Sequence, residues 1–130
     1  MTKEEIKKIA IQCIQDESEA VVRLKDFIND DFVACCEAIY NNNNGRVILC
    51  GIGKSANIAQ KIVATFNSTG PPALFMHAAD AIHGDLGMVQ KHDIVICLSK
   101  SGNTPETNLL IPMIKMRGNK IVAIVGNTDS

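Results

Sequence analysis

The residues best suited to chemistry lie between Ser99 and Glu106, in the stretch Ser-Lys-Ser-Gly-Asn-Thr-Pro-Glu. It follows an apolar run, residues 94–98, and precedes a segment with helical periodicity. Hydroxyl groups, a glycine and a helix start can together bind a phosphate, because the first N–H groups of a helix lack partners and favour an anion. The predicted phosphate ligands of this loop are Ser99, Ser101, Gly102 and Thr104.

The same loop also has the features of an ordinary helix start. Thr104 is a typical N-cap, Pro105 suits the first helical position, and Glu106 complements the helix dipole in the first turn. Helix capping and phosphate binding are compatible at this loop. Capping alone does not account for the hydroxyls of Ser99 and Ser101.

A second glycine-containing loop, residues 51–55, ends another apolar run. It is not a Walker A loop, because the first required glycine would fall at Ile48. Three interpretations remain. The loop satisfies the loose dinucleotide fingerprint, it fits a tight turn that presents Lys54 to a small ligand, and it fits a plain turn from strand to helix. We favour the small-ligand turn, because a dinucleotide fold does not need a second phosphate loop. Gly53 and Ser55 are then further phosphate ligands.

Residues 77–87 contain two histidines and two carboxylates. They do not share an i, i+4 face, so we predict neither a metal nor another cofactor. His77 fits a hydrogen-bonded structural role as well as a substrate-lining one, whereas His83, beside Gly84 and Asp85, is the better functional candidate.

Composition limits the classes of function. A net charge of −1 over 130 residues gives no argument for nucleic-acid binding. No apolar run is long enough to span a bilayer, and the first residues lack a signal peptide's apolar core. Five cysteines without C-x-x-C spacing are expected to be small buried hydrophobic residues in the reducing cytoplasm.

The periodicity predicts helices followed by a parallel sheet. Two apolar helical stripes separated by a polar break at 16–19 occupy residues 1–44, and the α/β core occupies 45–130 of a single domain. The predicted strands are 46–50, 73–76, 94–98 and 120–125. Strands without polar alternation, separated by helices, indicate a parallel sheet covered on both faces.

Ligands of such sheets bind at the carboxyl ends of the strands. The unusual loops that we expect there are 51–55, 68–70, 77–87 and 99–106. Residues 126–130 are rich in N-cap types, so we expect the sequence to be the front part of a longer domain, truncated after the fourth strand.

Four motifs together resemble the sugar isomerase (SIS) domain, and more narrowly the D-arabinose 5-phosphate isomerases. They are residues 51–55, 67–70, 77–88 and 99–104. The resemblance covers about residues 35 to 130 and implies a five-stranded flavodoxin-like sheet. It also implies interconversion of D-ribulose 5-phosphate and D-arabinose 5-phosphate, which feeds synthesis of the eight-carbon acid sugar of lipopolysaccharide. A complete family domain continues into a fifth strand and further helices that supply additional catalytic residues.

An aldose–ketose isomerase needs a base, an oxyanion stabiliser and a phosphate anchor. We assign Lys54 as the electrostatic stabiliser, Glu106 as the acid/base and His83 as a group that positions a hydroxyl or assists ring opening. The expected substrate-lining residues are Ser68, Thr69, His77 and Asp85.

Two other functions stay open. A regulatory module that binds a sugar phosphate without chemistry uses the same fold and phosphate loop. A nucleotide-binding Rossmann domain ranks low, because His77 stands where an acidic residue should end the second strand. The apolar stripes of the N-terminal helices are expected to help bury a subunit interface, and the resemblance implies a homo-oligomer, either a dimer or a tetramer.

Overall fold

The computed structural model describes residues 1–130. The chain divides into two compact units, Met1–Cys36 and Glu37–Ser130. The first unit is helical, and the second contains the sheet and the helices that cover it. A single domain over 1–130, with its helical part ending at 44, stays a prediction.

The first unit is dominated by one long helix, α1, which spans Lys3–Arg23. It begins with a capping box. The Thr2 hydroxyl accepts from the backbone N–H of Glu5 at 3.2 Å, and the Glu5 carboxylate accepts from the N–H of Thr2 at 2.6 Å. A 3-10 helix, Leu24–Phe27, follows, and helix α2 spans Asp30–Tyr40.

The predicted helix break at 16–19 is wrong, because α1 runs through this polar stretch without interruption. Its polar side chains find partners inside the helix. The Asp16 carboxylate accepts from the Gln12 amide at 2.8 Å, and the Ser18 hydroxyl donates to the carbonyl of Ile14 at 2.7 Å. A polar segment therefore marks an exposed helix here rather than a turn.

The second unit is built on a four-stranded parallel sheet in the order β2-β1-β3-β4. The strands are β1, Val47–Gly51; β2, Ala73–His77; β3, Ile94–Ser99; and β4, Lys120–Val125. All four predicted strands are confirmed to within one residue at their ends. Both central strands, β1 and β3, are buried along their full length, which explains why their sequences are continuous apolar runs.

Three helices accompany the sheet. They are α3, Lys54–Thr69; α4, Ala78–Ile82; and α5, Pro105–Met116. A 3-10 helix, Asp85–Met88, follows α4. The expectation of a loop over 77–87 is therefore wrong, since most of it is helical. Alanine has the highest helix propensity, and Ala78 and Ala81 bury their methyl groups in the core.

The side chains of the sheet alternate between two apolar layers. Helix α3 covers one face, where Ala59 packs with Leu49, Ile96 and Leu98. Helices α4 and α5 cover the other. The buried residues on that second face include Ile48, Cys50, Met76, Val95, Cys97, Leu110 and Ile114. The α/β class is thus confirmed.

A buried ion pair holds the amino edge of the sheet. The Asp93 carboxylate accepts from the Arg46 guanidinium at 2.7 Å and from the backbone N–H groups of Arg46 and Gln90, each at 2.8 Å. Burial alone would raise the pKa of Asp93, but these hydrogen bonds outweigh it and hold that pKa below its ordinary value. The Arg46 guanidinium also donates to the Met88 carbonyl at 2.7 Å. The Arg46–Asp93 pair therefore connects β1 and β3 with the 3-10 helix that ends at Met88.

Candidate functional site

The site lies where the carboxyl ends of the central strands meet. Gly51 ends β1 in register with His77 at the end of β2, and Ser99 ends β3 beside β1. The chain leaves β1 toward β2 through α3, whereas it leaves β3 toward β4 through α5 on the opposite face. The loops after β1 and β3 therefore diverge from neighbouring strand ends, and such a switch point is where open α/β sheets bind ligands.

The glycine loop after β1 has two backbone requirements. A Cβ on Gly51 would lie 3.0 Å from the carbonyl carbon of Ser55, so any larger residue would force the start of α3 to move away from the strand by a few tenths of an ångström. Gly53 has a φ of 57° with open space around it, and therefore needs glycine for its backbone conformation. Lys54 is the first residue of α3 and is exposed, so its ammonium is free to meet an anion at this edge.

The hydroxyl loop after β3 is organised by Ser99. This side chain is buried, and its oxygen accepts from the backbone N–H of Gly102 at 3.0 Å. It also pairs with the Thr104 hydroxyl at 2.8 Å. Ser99 thus holds the loop in shape through these two hydrogen bonds, and its contact with a phosphate stays a prediction. Ser101, by contrast, is exposed and accepts from the backbone N–H of Asn103 at 3.2 Å.

The expected side-chain capping by Thr104 is wrong. Thr104 occupies the N-cap position of α5, but its side chain makes no capping hydrogen bond because it turns to Ser99. The first N–H groups of α5 therefore keep no side-chain cap and are available to an anion. Glu106 stands half-buried in that first turn. Gly102 has a φ of 75°, and a Cβ there would collide with the side chain of Ser130.

His77 and Asp80 form a pair at the end of β2. The Nδ1 atom of His77 lies 3.6 Å from the Asp80 carboxylate and is buried without a hydrogen-bond partner. Because β2 lies next to β1, the strand order places His77 beside the glycine loop. His77 is therefore at the same edge as Lys54, as expected.

His83 and Asp85 are placed less centrally. His83 follows α4 as its C-cap and is exposed, and Asp85 begins the 3-10 helix that leads back to Met88 at the amino edge. No hydrogen bond joins either side chain to Lys54 or to the hydroxyl loop in this structure. Their catalytic and lining roles stay predictions.

Ser68 and Thr69 lie at the opposite edge of the sheet, so their expected position at the carboxyl edge is wrong. Helix α3 has 16 residues, and a rise of about 1.5 Å per residue carries the chain roughly 24 Å back across the sheet. At that end the Asn67 side chain bonds both backbone groups of Ala73, the first residue of β2. The hydroxyls of Ser68 and Thr69 bond to carbonyls of α3 itself, such as that of Thr65.

A cavity of about 580 Å³ opens beside the hydroxyl loop, between α5 and the strands β3 and β4. Its lining includes Ser99, Gly102 and Thr107, but none of the three predicted catalytic residues. Thr107 is buried and its hydroxyl has no hydrogen-bond partner. We did not predict Thr107, although its i+3 spacing from Thr104 places the two on one side of the helix.

The cysteines divide into two groups. Cys50 and Cys97 are buried as expected, whereas Cys13 and Cys36 are exposed and Cys35 is half-buried, so the expectation of burial is wrong for these. No cluster of three or more His, Cys, Asp or Glu side chains is arranged to hold a metal ion. None of the helices has the length and apolar character that crossing a membrane requires.

Comparison with known proteins agrees with this geometry. Residues 39–130 match the family model of the SIS domain. The chain is 46% identical over 114 residues to arabinose 5-phosphate isomerase KdsD of Pseudomonas aeruginosa, covering 88% of this chain and 35% of that protein. It is 41% identical over 114 residues to KdsD of Escherichia coli K12, covering 88% and 34%.

Among solved structures, c3406 of E. coli CFT073 in complex with arabinose 5-phosphate has the same fold, with a TM-score of 0.92 at 35% identity. The match covers 100% of this chain and 69% of that one. The chain spans about a third of the length of the curated relatives named above. The matched domain, the parallel sheet and the two loops at its switch point lead to one conclusion: the chain belongs to the SIS domain family.

Proposed function

We propose that the protein interconverts D-ribulose 5-phosphate and D-arabinose 5-phosphate through an enediolate. The observation that carries the proposal is the position of Lys54 and the 99–104 loop on adjacent strand ends, β1 and β3. The loop can bind the phosphate of a sugar phosphate. The lysine can stabilise the negative charge that develops on the carbonyl oxygen during the reaction. The relatives named arabinose 5-phosphate isomerase, and the related structure in complex with that sugar phosphate, support this choice of substrate.

The phosphate is anchored by the two helix starts. In the proposal the free N–H groups at the beginning of α5 and the hydroxyls of Ser101 and Thr104 bind the phosphate oxygens. Ser55, in the first turn of α3, and the backbone at Gly53 and Gly102 complete the anchor. Ser99 holds this loop in shape and does not itself need to touch the ligand.

Isomerisation moves one proton between neighbouring carbons. Starting from the ketose, the base removes a proton from C1, the electrons form the enediolate, and the proton returns to C2 as the C1 oxygen becomes the aldehyde. We assign the base to Glu106, in the first turn of α5. Lys54 stabilises the developing oxyanion, which is a transition-state interaction and contributes to kcat. His83 positions a sugar hydroxyl or assists ring opening, and His77 and Asp85 line the sugar.

Exchange of Lys54 for alanine tests the proposal. Removal of a group that stabilises an oxyanion lowers kcat about 100-fold or more, so we expect Lys54→Ala to lose turnover while KM changes only a few-fold. Lys91→Ala is the matched control, because Lys91 is an exposed lysine in the turn before β3, at the other edge of the sheet. Equal kcat values for Lys54→Ala and the wild type would contradict the role of Lys54.

A second function has one observation in its favour. Within the chain, no hydrogen bond joins the His83 or Asp85 side chain to Lys54, whereas Ser99 holds the phosphate loop through two hydrogen bonds. A domain that binds a sugar phosphate and regulates a partner needs only the organised part. Ligand-dependent stabilisation without any conversion of D-ribulose 5-phosphate would favour this alternative.

The biological setting follows from the proposed reaction. Arabinose 5-phosphate is the expected precursor of the eight-carbon acid sugar of lipopolysaccharide, and we place the reaction in that synthesis. We also propose that the protein forms a homo-oligomer, because α1 exposes large apolar side chains. Ile6, Ile9 and Ile14 are 50%, 54% and 65% exposed.

A further inference from the structure

Two cysteines that the proposed chemistry does not use stand side by side beneath the site. Cys50 on β1 and Cys97 on β3 are register partners in neighbouring parallel strands. Both point into the same apolar layer, under α4 and α5, and are 0% and 2% exposed. Cys50 directly precedes Gly51, and Cys97 lies two residues before Ser99.

We propose that Cys50 and Cys97 are an oxidisable thiol pair that a small peroxide converts into an intrachain disulfide. Neighbouring strands lie about 4.8 Å apart, which is inside the range of about 4.4–6.8 Å for the Cα atoms of a disulfide. The two side chains leave the sheet on the same face, so the bond needs an adjustment of the strand ends and no rearrangement of the fold.

Both access and reactivity favour Cys97 as the sulfur that reacts first. Cys97 lines the cavity between α5 and strands β3 and β4, whose volume of about 580 Å³ far exceeds that of a peroxide. Hydrogen bonding with the Cys50 thiol lowers the pKa of Cys97 against the opposing effect of burial. The same interaction and burial raise the pKa of Cys50, which therefore keeps its proton.

The reaction balances with hydrogen peroxide as the oxidant. The Cys97 thiolate attacks one peroxide oxygen, the O–O bond breaks, and a sulfenic acid and hydroxide form; the hydroxide takes up a proton to become water. The Cys50 sulfur then displaces the sulfenic hydroxyl as a second water, forming the S–S bond. In total, two thiols lose two electrons and two protons, and one peroxide becomes two waters.

Formation of the disulfide is expected to change the geometry of the candidate site. Cβ atoms in a disulfide lie about 3.8 Å apart, closer than the Cβ atoms of two register partners on the same face of a sheet, which are spaced like the strands at about 4.8 Å. Oxidation therefore reorients the two Cβ atoms and adjusts the ends of β1 and β3, which shifts Gly51 and Ser99, from which both anion-binding loops start. This consequence rests on the proposed function, whereas formation of the bond does not.

The test uses a chain in which Cys13, Cys35 and Cys36 are changed to serine, leaving only the buried pair. After treatment with hydrogen peroxide, we expect a loss of two free thiols per chain. We also expect a peptide pair linked between Cys50 and Cys97 in the mass spectrum, and dithiothreitol should reverse both. Two thiols still free after treatment of the folded chain, and linked only when it is unfolded in urea, would overturn the proposal.

Single variants separate the roles of the two sulfurs. In Cys50→Ala, peroxide should leave a sulfenic acid on Cys97 that dimedone traps, and Cys97→Ala should give no trapped product at Cys50. Trapping at Cys50 instead would contradict the assigned order. If these variants fail to fold, peptide mapping of the oxidised wild-type chain gives the same answer about the cross-link. The thiol count is independent of sugar-phosphate binding, so failure of one claim does not affect the other.

Discussion

Replacement of Ser99 by alanine tests the assignment of this residue as the organiser of the phosphate loop. Ser99→Ala removes the acceptor of the Gly102 N–H at 3.0 Å and the partner of the Thr104 hydroxyl at 2.8 Å. A hydrogen bond contributes about 1 kcal/mol net, and an unsatisfied buried donor costs about 1–3 kcal/mol. The Gly102 N–H keeps the Ser99 carbonyl at 3.3 Å as an acceptor. We therefore expect the lower end, about 1–2 kcal/mol less free energy of unfolding.

The phosphate binds to the ordered form of this loop, so the free energy lost in ordering the loop is also lost from the free energy of binding. Since 1.4 kcal/mol is a factor of ten, the affinity for D-arabinose 5-phosphate should fall about 5- to 30-fold. Urea unfolding gives the stability, and titration calorimetry gives the affinity. Ser101→Ala is the matched control, because its exposed hydroxyl makes one local bond. It should lower the affinity and change the free energy of unfolding by less than about 0.5 kcal/mol.

The outcome for Ser99 distinguishes organisation from direct contact. Weaker binding of the sugar phosphate by Ser99→Ala, with stability equal to the wild type, would show that this hydroxyl binds the ligand itself. That result would refute our interpretation of its two hydrogen bonds. A loss of stability larger than that of Ser101→Ala, together with weaker binding, is what the structure predicts.

Three further predictions concern stability and are measured by urea unfolding. Asp93→Asn should cost about 2–3 kcal/mol at pH 7 by breaking a buried ion pair. Because the folded pKa of Asp93 is lowered, its ionised form stabilises the fold above the unfolded pKa of about 3.9 and this contribution is lost as the pH falls through the folded value. The cost of Asp93→Asn should therefore shrink toward pH 2. Gly53→Ala should cost about 1–3 kcal/mol, because its φ of 57° with a ψ of −127° strains any other residue, and Gly51→Ala should also be destabilising, since its Cβ meets the backbone of Ser55 at 3.0 Å. Thr107→Val should be neutral or stabilising by up to about 1 kcal/mol, because it removes a buried hydroxyl without a partner.

Each of these has a result that would count against it. A pH-independent cost for Asp93→Asn would show that the carboxylate charge is not what the fold uses. A Gly51→Ala variant as stable as the wild type would contradict the close approach of α3 to β1. A loss above about 2 kcal/mol in Thr107→Val would mean that the Thr107 hydroxyl has a hydrogen-bond partner after all.

The sheet was predictable because burial on both faces leaves a direct trace in the sequence. Strands β1 and β3 are covered on each side, so their residues are apolar without alternation and stand out from the helices. The positions of Lys54, His77 and Ser99 at one edge then follow from the rule that parallel strands end together. That part of the candidate site needs only the order of the elements.

Other features depend on three-dimensional contacts that periodicity does not encode. Ser68 and Thr69 were misplaced because a segment that precedes a strand lies at its amino edge, whatever its composition. The polar stretch at 16–19 has helical side-chain partners, so it continues α1. The pairing of Ser99 with Thr104 and of Cys50 with Cys97 depends on side-chain direction and strand register, which a single sequence does not reveal.

Exchange with solvent is the sharpest test for conversion through an enediolate at this edge of the sheet. The chain is incubated with D-ribulose 5-phosphate in deuterated water, and the sugar is followed by proton NMR. We expect D-arabinose 5-phosphate carrying deuterium at C2, with the rate reduced in Lys54→Ala and in Glu106→Gln. Arabinose 5-phosphate without deuterium at C2, formed at the same rate by both variants, would contradict it.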